Sequence, residues 1–332
     1  MGDPAGVGPQ IAALAYLQRK PGDRPFYLIA PDDVMLNGCG EAASKRFSSE
    51  GGYILFKPIS EPAEVAAIWA QPNTIPYLPI DGPAPAAGKP DPASAASIID
   101  SIRIAVDHVK SGKAAAVVTN PINKALLYAG GFQHPGHTEF LAELDGGKRP
   151  VMMLVGGGLR VALATIHMPL VKAAAAITRP LIVETARIVD AALRRDFGIA
   201  RPRIGLCGLN PHAGEQGGLG REEIEIINPA AAALRADGVD ISDARPGDTI
   251  FHEQREGRWD AVIALYHDQG LIPVKTLDMW GGVNVTLGLS FIRTSPDHGT
   301  AYDAARDGTA RPDSLIAALA LADRMATARA NA

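Results

Sequence analysis

The chain has almost no cysteine. Only Cys39 and Cys207 occur among 332 residues, and no C-x-x-C pair exists, so neither a thiolate zinc site nor a disulfide framework is expected. Two scattered thiols fit a reducing cytoplasm, which is the expected location. Long apolar runs are also missing. None reaches the ~20 residues needed to cross a bilayer, and the opening M-G-D-P-A-G has neither the basic nor the apolar region of a signal peptide. A strong charge of either sign is absent too: 32 Lys and Arg against 36 Asp and Glu leave a net charge of −4. Such mild acidity argues against nucleic acid or an anionic membrane as the main partner. A phosphorylated ligand would then need a local basic cluster. Two glycine signatures are missing as well. There is no G-x-G-x-x-G and no G-x-x-x-x-G-K-[ST], so neither a Rossmann dinucleotide site nor a P-loop is signalled. A nicotinamide cofactor would have to bind by another architecture.

What is present reads as a globular enzyme. The length suggests two domains or one large α/β unit. Apolar runs at 26–30, 115–119, 151–155, 159–166, 203–209 and 261–266 read as strands. Helical patterns at 9–19, 94–111, 180–195, 221–237 and 312–328 alternate with them. This alternation predicts an α/β fold with much parallel sheet. Residues 71–92, rich in Pro, Ala and Gly, read as a long connection. Residues 130–137 form a second Gly/Pro break and a plausible domain crossover. At the start, Gly2 to Pro9 make a tight glycine loop, with Pro9 suited to the first turn of a helix. Such a loop usually follows a strand, which would lie upstream of Met1; an exposed turn is the plain alternative.

Three histidines stand in dense polar blocks, each after a strand: His167 in A-T-I-H-M-P-L, His212 in G-L-N-P-H-A-G-E and His267 in A-L-Y-H-D-Q-G. Any one of them alone reads as an imidazole satisfied by backbone. Together they suit a catalytic metal site with three protein ligands and an open position. Asp248 and Asp268 are candidate fourth ligands or orienting carboxylates, and Gln269 is a further orienting partner; as a turn residue after Gly247, Asp248 also has a purely local explanation. A second group is Lys275, Asn284 and Arg293. Arg293 lies in the apolar stretch L-G-L-S-F-I-R, where a charge calls for an anion or an internal ion pair. Lys, Arg and Asn together suit a phosphate or carboxylate. After H-P-G, His137 and Thr138 open a helix with Thr138 as the expected N-cap, and a helix start also attracts anions.

Seven ordered blocks carry a resemblance. G-D-P-A-G-V-G-P, T-N-P-I-N-K, H-P-G-H-T-E-F, A-T-I-H-M-P-L, G-L-N-P-H-A-G-E, Y-H-D-Q-G and F-I-R-T-S-x-D-H-G-T resemble the 4-hydroxythreonine-4-phosphate dehydrogenase (PdxA) family from Gly2 to about Ala304. The resemblance implies a two-domain fold like isocitrate and isopropylmalate dehydrogenases, with mixed, largely parallel sheets and NAD bound without G-x-G-x-x-G. It implies one discontinuous domain of about 1–128 plus 303–332. A second domain, about 129–302, would carry the metal histidines and the dimer interface. It implies oxidation of 4-phosphooxy-L-threonine by NAD or NADP, then decarboxylation to 3-amino-2-oxopropyl phosphate, in pyridoxal 5′-phosphate biosynthesis. By motif position, the metal ligands are His167, His212 and His267, and the substrate contacts are His137, Thr138, Lys275, Asn284 and Arg293. The divalent metal is zinc, magnesium, cobalt or manganese. The general base stays open between Asp248, Lys275 and a metal-bound water. The implied assembly is a homodimer with its site at the subunit interface.

Three other readings compete. A close relative would oxidise phospho-threonate or phospho-erythronate. A His-metal hydrolase explains the three histidines but not the ordered blocks. A non-catalytic phospho-ligand binder leaves the three histidines, Lys275 and Arg293 without a purpose.

Overall fold

A computed structural model describes residues 1–38, 54–134 and 136–331; Cys39 lies outside them. The chain divides into two compact units, residues 1–148 with 293–323 and residues 149–292 with 324–332. In this division residues 129–148 group with the first unit. Among the described residues no helix is long and apolar enough to cross a membrane.

In the first unit, β1 (Leu28–Ala30), β2 (Leu55–Pro58) and β3 (Thr74–Pro79) form a parallel sheet in the order β1-β3-β2. The middle strand therefore lies in the segment expected to be a connection. Pro76 and Pro79 hid it, because proline is rare in central strands. It is tolerated here because β3 pairs with β1 only from Tyr77 onward, so at Pro76 the strand has β2 alone as partner. The helix Gly8–Leu17 opens on Pro9 and is buried from Gly8 to Tyr16. Its alanines let it lie deep in the core, so no polar face marks it. The helix Ala95–Lys110 is amphipathic instead, burying Ile98, Ile102 and Val106 at every fourth position. β4 (Ala116–Val118) follows it.

The second unit is built on β5 (Val151–Gly156), β6 (Leu159–Leu163), β7 (Arg203–Cys207), β8 (Asp240–Arg245), β9 (Ala261–Ala264) and β10 (Val283–Leu287). Their order is β10-β5-β6-β9-β7-β8. β5 runs antiparallel to β10 and β6, while β6, β9, β7 and β8 are mutually parallel. Every residue of β9 is buried, as expected for a parallel strand covered on both faces. β8 was not legible because it pairs only with β7 and is largely polar. The pattern at 221–237 is not one helix. Pro229 offers no N–H, and the chain takes a π turn over Glu223–Ile227 before the helix Asn228–Ala236.

β11 (Ile292–Pro296), in the first unit from Arg293 on, lies beside β4, with the Thr119 N–H donating to the Thr294 carbonyl at 3.1 Å. In the second unit the helix His267–Leu277 packs on β6 and β9 through Gly270. A Cβ there would stand 2.6 Å from Leu163 Cδ2 and 3.0 Å from Val161 Cγ1. Gly270→Val should therefore lower the unfolding free energy by about 1–3 kcal/mol through overpacking. An unchanged urea midpoint would show that the contact is not needed.

Candidate active site

The three strand-end histidines follow from register. β6, β9 and β7 are adjacent and parallel, with Leu163 level with Ala264 and Ile263 level with Leu206. His167, His267 and His212 come a few residues after the ends of these three strands. All three thus leave the same, C-terminal edge of the sheet, where open α/β sheets place their ligands.

The structure brings two of them together. The rings of His167 and His267 have centroids 5.5 Å apart, tilted by 42°. The chain after β6 keeps to β9: the Ala164 N–H donates to the Ala264 carbonyl at 2.9 Å and the Thr165 hydroxyl to the Leu265 carbonyl at 2.7 Å. His167 then turns away at a φ of 38°, a left-handed conformation that non-glycine residues avoid. His267 opens its helix, and its Nδ1 pairs with Asp268 Oδ1 at 2.7 Å. In the neutral ring that pairing puts the proton on Nδ1 and leaves Nε2 as the donor atom for a cation. Gln269 accepts from the Leu265 N–H at 2.7 Å and donates to the Gly208 carbonyl at 2.8 Å. It thereby ties the end of β9 to the loop that carries His212.

His212 is exposed and stands in an unusual turn. His212, Ala213, Gly214, Glu215 and Gln216 all have φ between 43° and 79°. Each L-residue in a left-handed helix costs roughly 1–2 kcal/mol, and four of these five carry a Cβ. His212 does not join the other two rings: among the described residues no three His, Cys, Asp or Glu side chains gather to hold one ion within a chain. The donor chemistry nevertheless fits a divalent cation. Two imidazoles meet, one is oriented by a carboxylate, and a third stands at the same sheet edge. Of the other candidates in this unit, Asp248 is exposed in the turn before the helix Ile250–Arg255. Lys275 is half-buried on the helix that begins with His267, and Asn284 is half-buried on β10 opposite Leu154.

The first unit holds a separate cationic group. Arg293, on β11, is 4% exposed, and burial pulls its guanidinium down to about 10, which leaves it charged at neutral pH. Its Nε and Nη2 donate to the Thr119 hydroxyl at 3.1 and 2.7 Å. His137 opens the helix His137–Leu144, whose N-cap is Gly136. Thr138 is therefore not the cap that the sequence suggested, because the helix begins one residue before it. His137 is partly exposed as a residue, yet its Nε2 is buried and makes no hydrogen bond. Burial holds its pKa well below the ordinary value, helped by the positive charges of Arg293, the N-terminus and Lys124. The ring is neutral among cations, in a setting suited to an anion.

Sequence reasoning missed a second buried polar group in the first unit. Asp3 is fully buried and accepts from the Ala5 N–H at 2.9 Å and from the Tyr302 hydroxyl at 2.5 Å. Asn123 donates to the Tyr302 oxygen at 2.8 Å. Burial, with the bond to Asp3, pushes the Tyr302 hydroxyl up to about 12. The chain Asp3–Tyr302–Asn123 ties the first motif block to the second. The signal was available in G-D-P-A-G and T-N-P-I-N-K, but only as blocks, without roles for single residues.

A mixed α/β chain with histidines at parallel strand ends in one unit and a buried arginine beside a neutral histidine in the other has the outline of a metabolic enzyme. Comparison with known proteins narrows that class. Residues 33–322 match the family model of the pyridoxal phosphate biosynthetic protein PdxA. The chain is 51% identical to a 4-hydroxythreonine-4-phosphate dehydrogenase of Maricaulis maris (strain MCS10), over 99% of this chain and 97% of the relative. It is 48% identical to the protein of that name from Caulobacter vibrioides, over 99% and 96%. A crystal structure of 4-hydroxythreonine-4-phosphate dehydrogenase from Klebsiella pneumoniae superposes with a TM-score of 0.86 at 36% identity, covering 98% of each chain. The chain belongs to the PdxA family.

The His137 environment has a pH signature. In the unfolded chain its ring takes a proton as pH falls through about 6.5, whereas in the folded protein it stays neutral to much lower pH. Its contribution is therefore complete above about 6.5 and is lost as pH falls below that value. His137→Gln should make the decline of the urea midpoint from pH 6.5 to 5 shallower than in the parent; an identical decline would contradict the assignment.

Proposed function

We propose that this chain is a metal-dependent 4-hydroxythreonine-4-phosphate dehydrogenase using NAD or NADP. It would oxidise the C3 alcohol of 4-phosphooxy-L-threonine, and the resulting 3-keto acid would lose CO2 to give 3-amino-2-oxopropyl phosphate. The observation that carries this reading is the meeting of His167 and His267, a hundred positions apart, at the C-terminal edge of the sheet. It is found in a chain whose relatives bear that enzyme's name.

Each group then has a task. His167, His267 and His212 would hold the divalent ion: zinc, magnesium, cobalt or manganese. A cation bound there supplies Lewis acidity, lowering the pKa of a bound alcohol and stabilising negative charge on its oxygen. Arg293, buried and charged, offsets the phosphate or carboxylate of the substrate, and Thr119 fixes the plane of its guanidinium. His137 offers a neutral hydrogen-bonding nitrogen. Thr138, Lys275 and Asn284 complete the proposed substrate contacts. As the alcohol is oxidised, C3 gives a hydride to the nicotinamide ring and the hydroxyl gives a proton to a base, for which Asp248, Lys275 and a metal-bound water are the candidates.

The reading includes a homodimer whose partner completes the site. Two features support it. The rings that meet within one chain number two, not three. Leu170 (62%) and Val171 (78%) follow His167 within four residues, and Trp280 (55%) follows the helix that His267 opens; exposed apolar side chains of this kind mark interaction surfaces.

The test is an assay of the metal-loaded protein with NAD+ or NADP+ and 4-phosphooxy-L-threonine, following absorbance of the reduced nicotinamide. Turnover with release of CO2 is expected. Turnover only with phospho-threonate or phospho-erythronate would assign the chain to the neighbouring activity. Phosphate release without reduction of the cofactor would make it a hydrolase.

A further inference from the structure

We propose that Glu223 is a positioning residue whose buried carboxylate clamps the left-handed turn and so sets His212 for metal binding. The inference rests on His212 being a metal ligand. Glu223 is 2% exposed. A buried carboxylate normally pairs with a cation. This one makes its three side-chain hydrogen bonds to a single loop. Its Oε1 accepts from the backbone N–H groups of Leu209 and Asn210, both at 2.8 Å. Its Oε2 accepts from Asn210 Nδ2 at 3.0 Å. All three donors lie immediately before Pro211 and His212. Hydrogen bonds to an ionised acceptor are stronger than those between neutral groups, so the negative charge is placed where the strained turn begins.

The loop is shaped to admit this carboxylate. A Cβ on Gly214 would stand 2.6 Å from Glu223 Oε2, and one on Gly208 would stand 3.2 Å from Oε1. Gly214 also needs its φ of 79°. Glycines thus flank the carboxylate, one before the strained turn and one inside it. Asn210 extends the clamp, because its Nδ2 also donates to Glu222 Oε2 at 2.7 Å. Behind the clamp is a firm anchor. Glu223 begins the π turn, and its carbonyl accepts from the Asn228 N–H five residues on. The following helix buries Ala230, Ala231 and Leu234. π turns of this kind recur at functional sites. Without the carboxylate, nothing in this set of contacts keeps His212 and its neighbours from relaxing to the right-handed conformation that L-residues prefer.

The experiment uses the full-length protein stripped of metal, with Co2+ alone as the probe, titrated calorimetrically. Glu223→Ala should weaken Co2+ binding by about 10–100-fold, the usual effect of removing a group that orients a ligand. Hydrogen exchange should rise in 209–216 while exchange in the sheet stays as in the parent. Gly214→Ala attacks the same clamp from the loop side and should act in the same direction; it decides the matter if Glu223→Ala does not fold. His212→Ala separates the two ideas. If His212→Ala loses Co2+ affinity but folded Glu223→Ala or Gly214→Ala binds within twofold of the parent, the clamp is wrong. If His212→Ala itself binds Co2+ as the parent does, the ligand assignment fails and the clamp falls with it.

Discussion

The second unit depends on the in-register parallel pairing of β6, β9 and β7. Because Leu163 pairs with Ala264 and Ile263 with Leu206, three stretches distant in sequence end together. Each then delivers a histidine within a few residues. The pairing is held by buried side chains that have no polar role: Leu159, Val161, Val262 and Ala264 belong to one core cluster. A one-residue slip in any strand would turn these residues to the opposite face of the sheet and move the histidine to the wrong place. The hydrophobic core and the positions of the candidate ligands are thus one constraint.

Beyond the strand ends, placement passes to short polar contacts. Asp268 orients His267, and Gln269 binds the loop before His212 to the end of β9. The loop itself is left-handed over five residues, four of them strained because they carry a Cβ, which a protein keeps only where the surroundings enforce it. The first unit works differently. It holds a buried arginine against a hydroxyl, and His137 is kept neutral by burial, helped by the cations near it. One unit offers imidazole nitrogens suited to a cation, and the other offers positive charge suited to an anion.

Much of this was legible in the sequence, for physical reasons. The buried strands at 159–166, 203–209 and 261–266 announced themselves as apolar runs, and the histidine blocks followed them. Arg293 stood out because a charge in an apolar stretch has to be accounted for. Strand β3 was hidden by two prolines, and its one-sided pairing at Pro76 appears only once β1 and β2 are placed. The interruption at Glu223–Ile227 was signalled by Pro229 but masked by the helical periodicity on either side. Glu223 was invisible, since a glutamate in a helical pattern reads as a solvated face. The same holds for Asp3 and Tyr302, nearly three hundred residues apart. That the three histidines do not meet within one chain is a fact of three dimensions that no spacing encodes.

X-ray absorption on the cobalt-loaded protein tests the central claim most directly. The account predicts an ion with imidazole scattering from three histidines, and loss of one imidazole's contribution in each of His167→Ala, His212→Ala and His267→Ala. A cobalt spectrum without imidazole scattering, or one unchanged by all three substitutions, would contradict it.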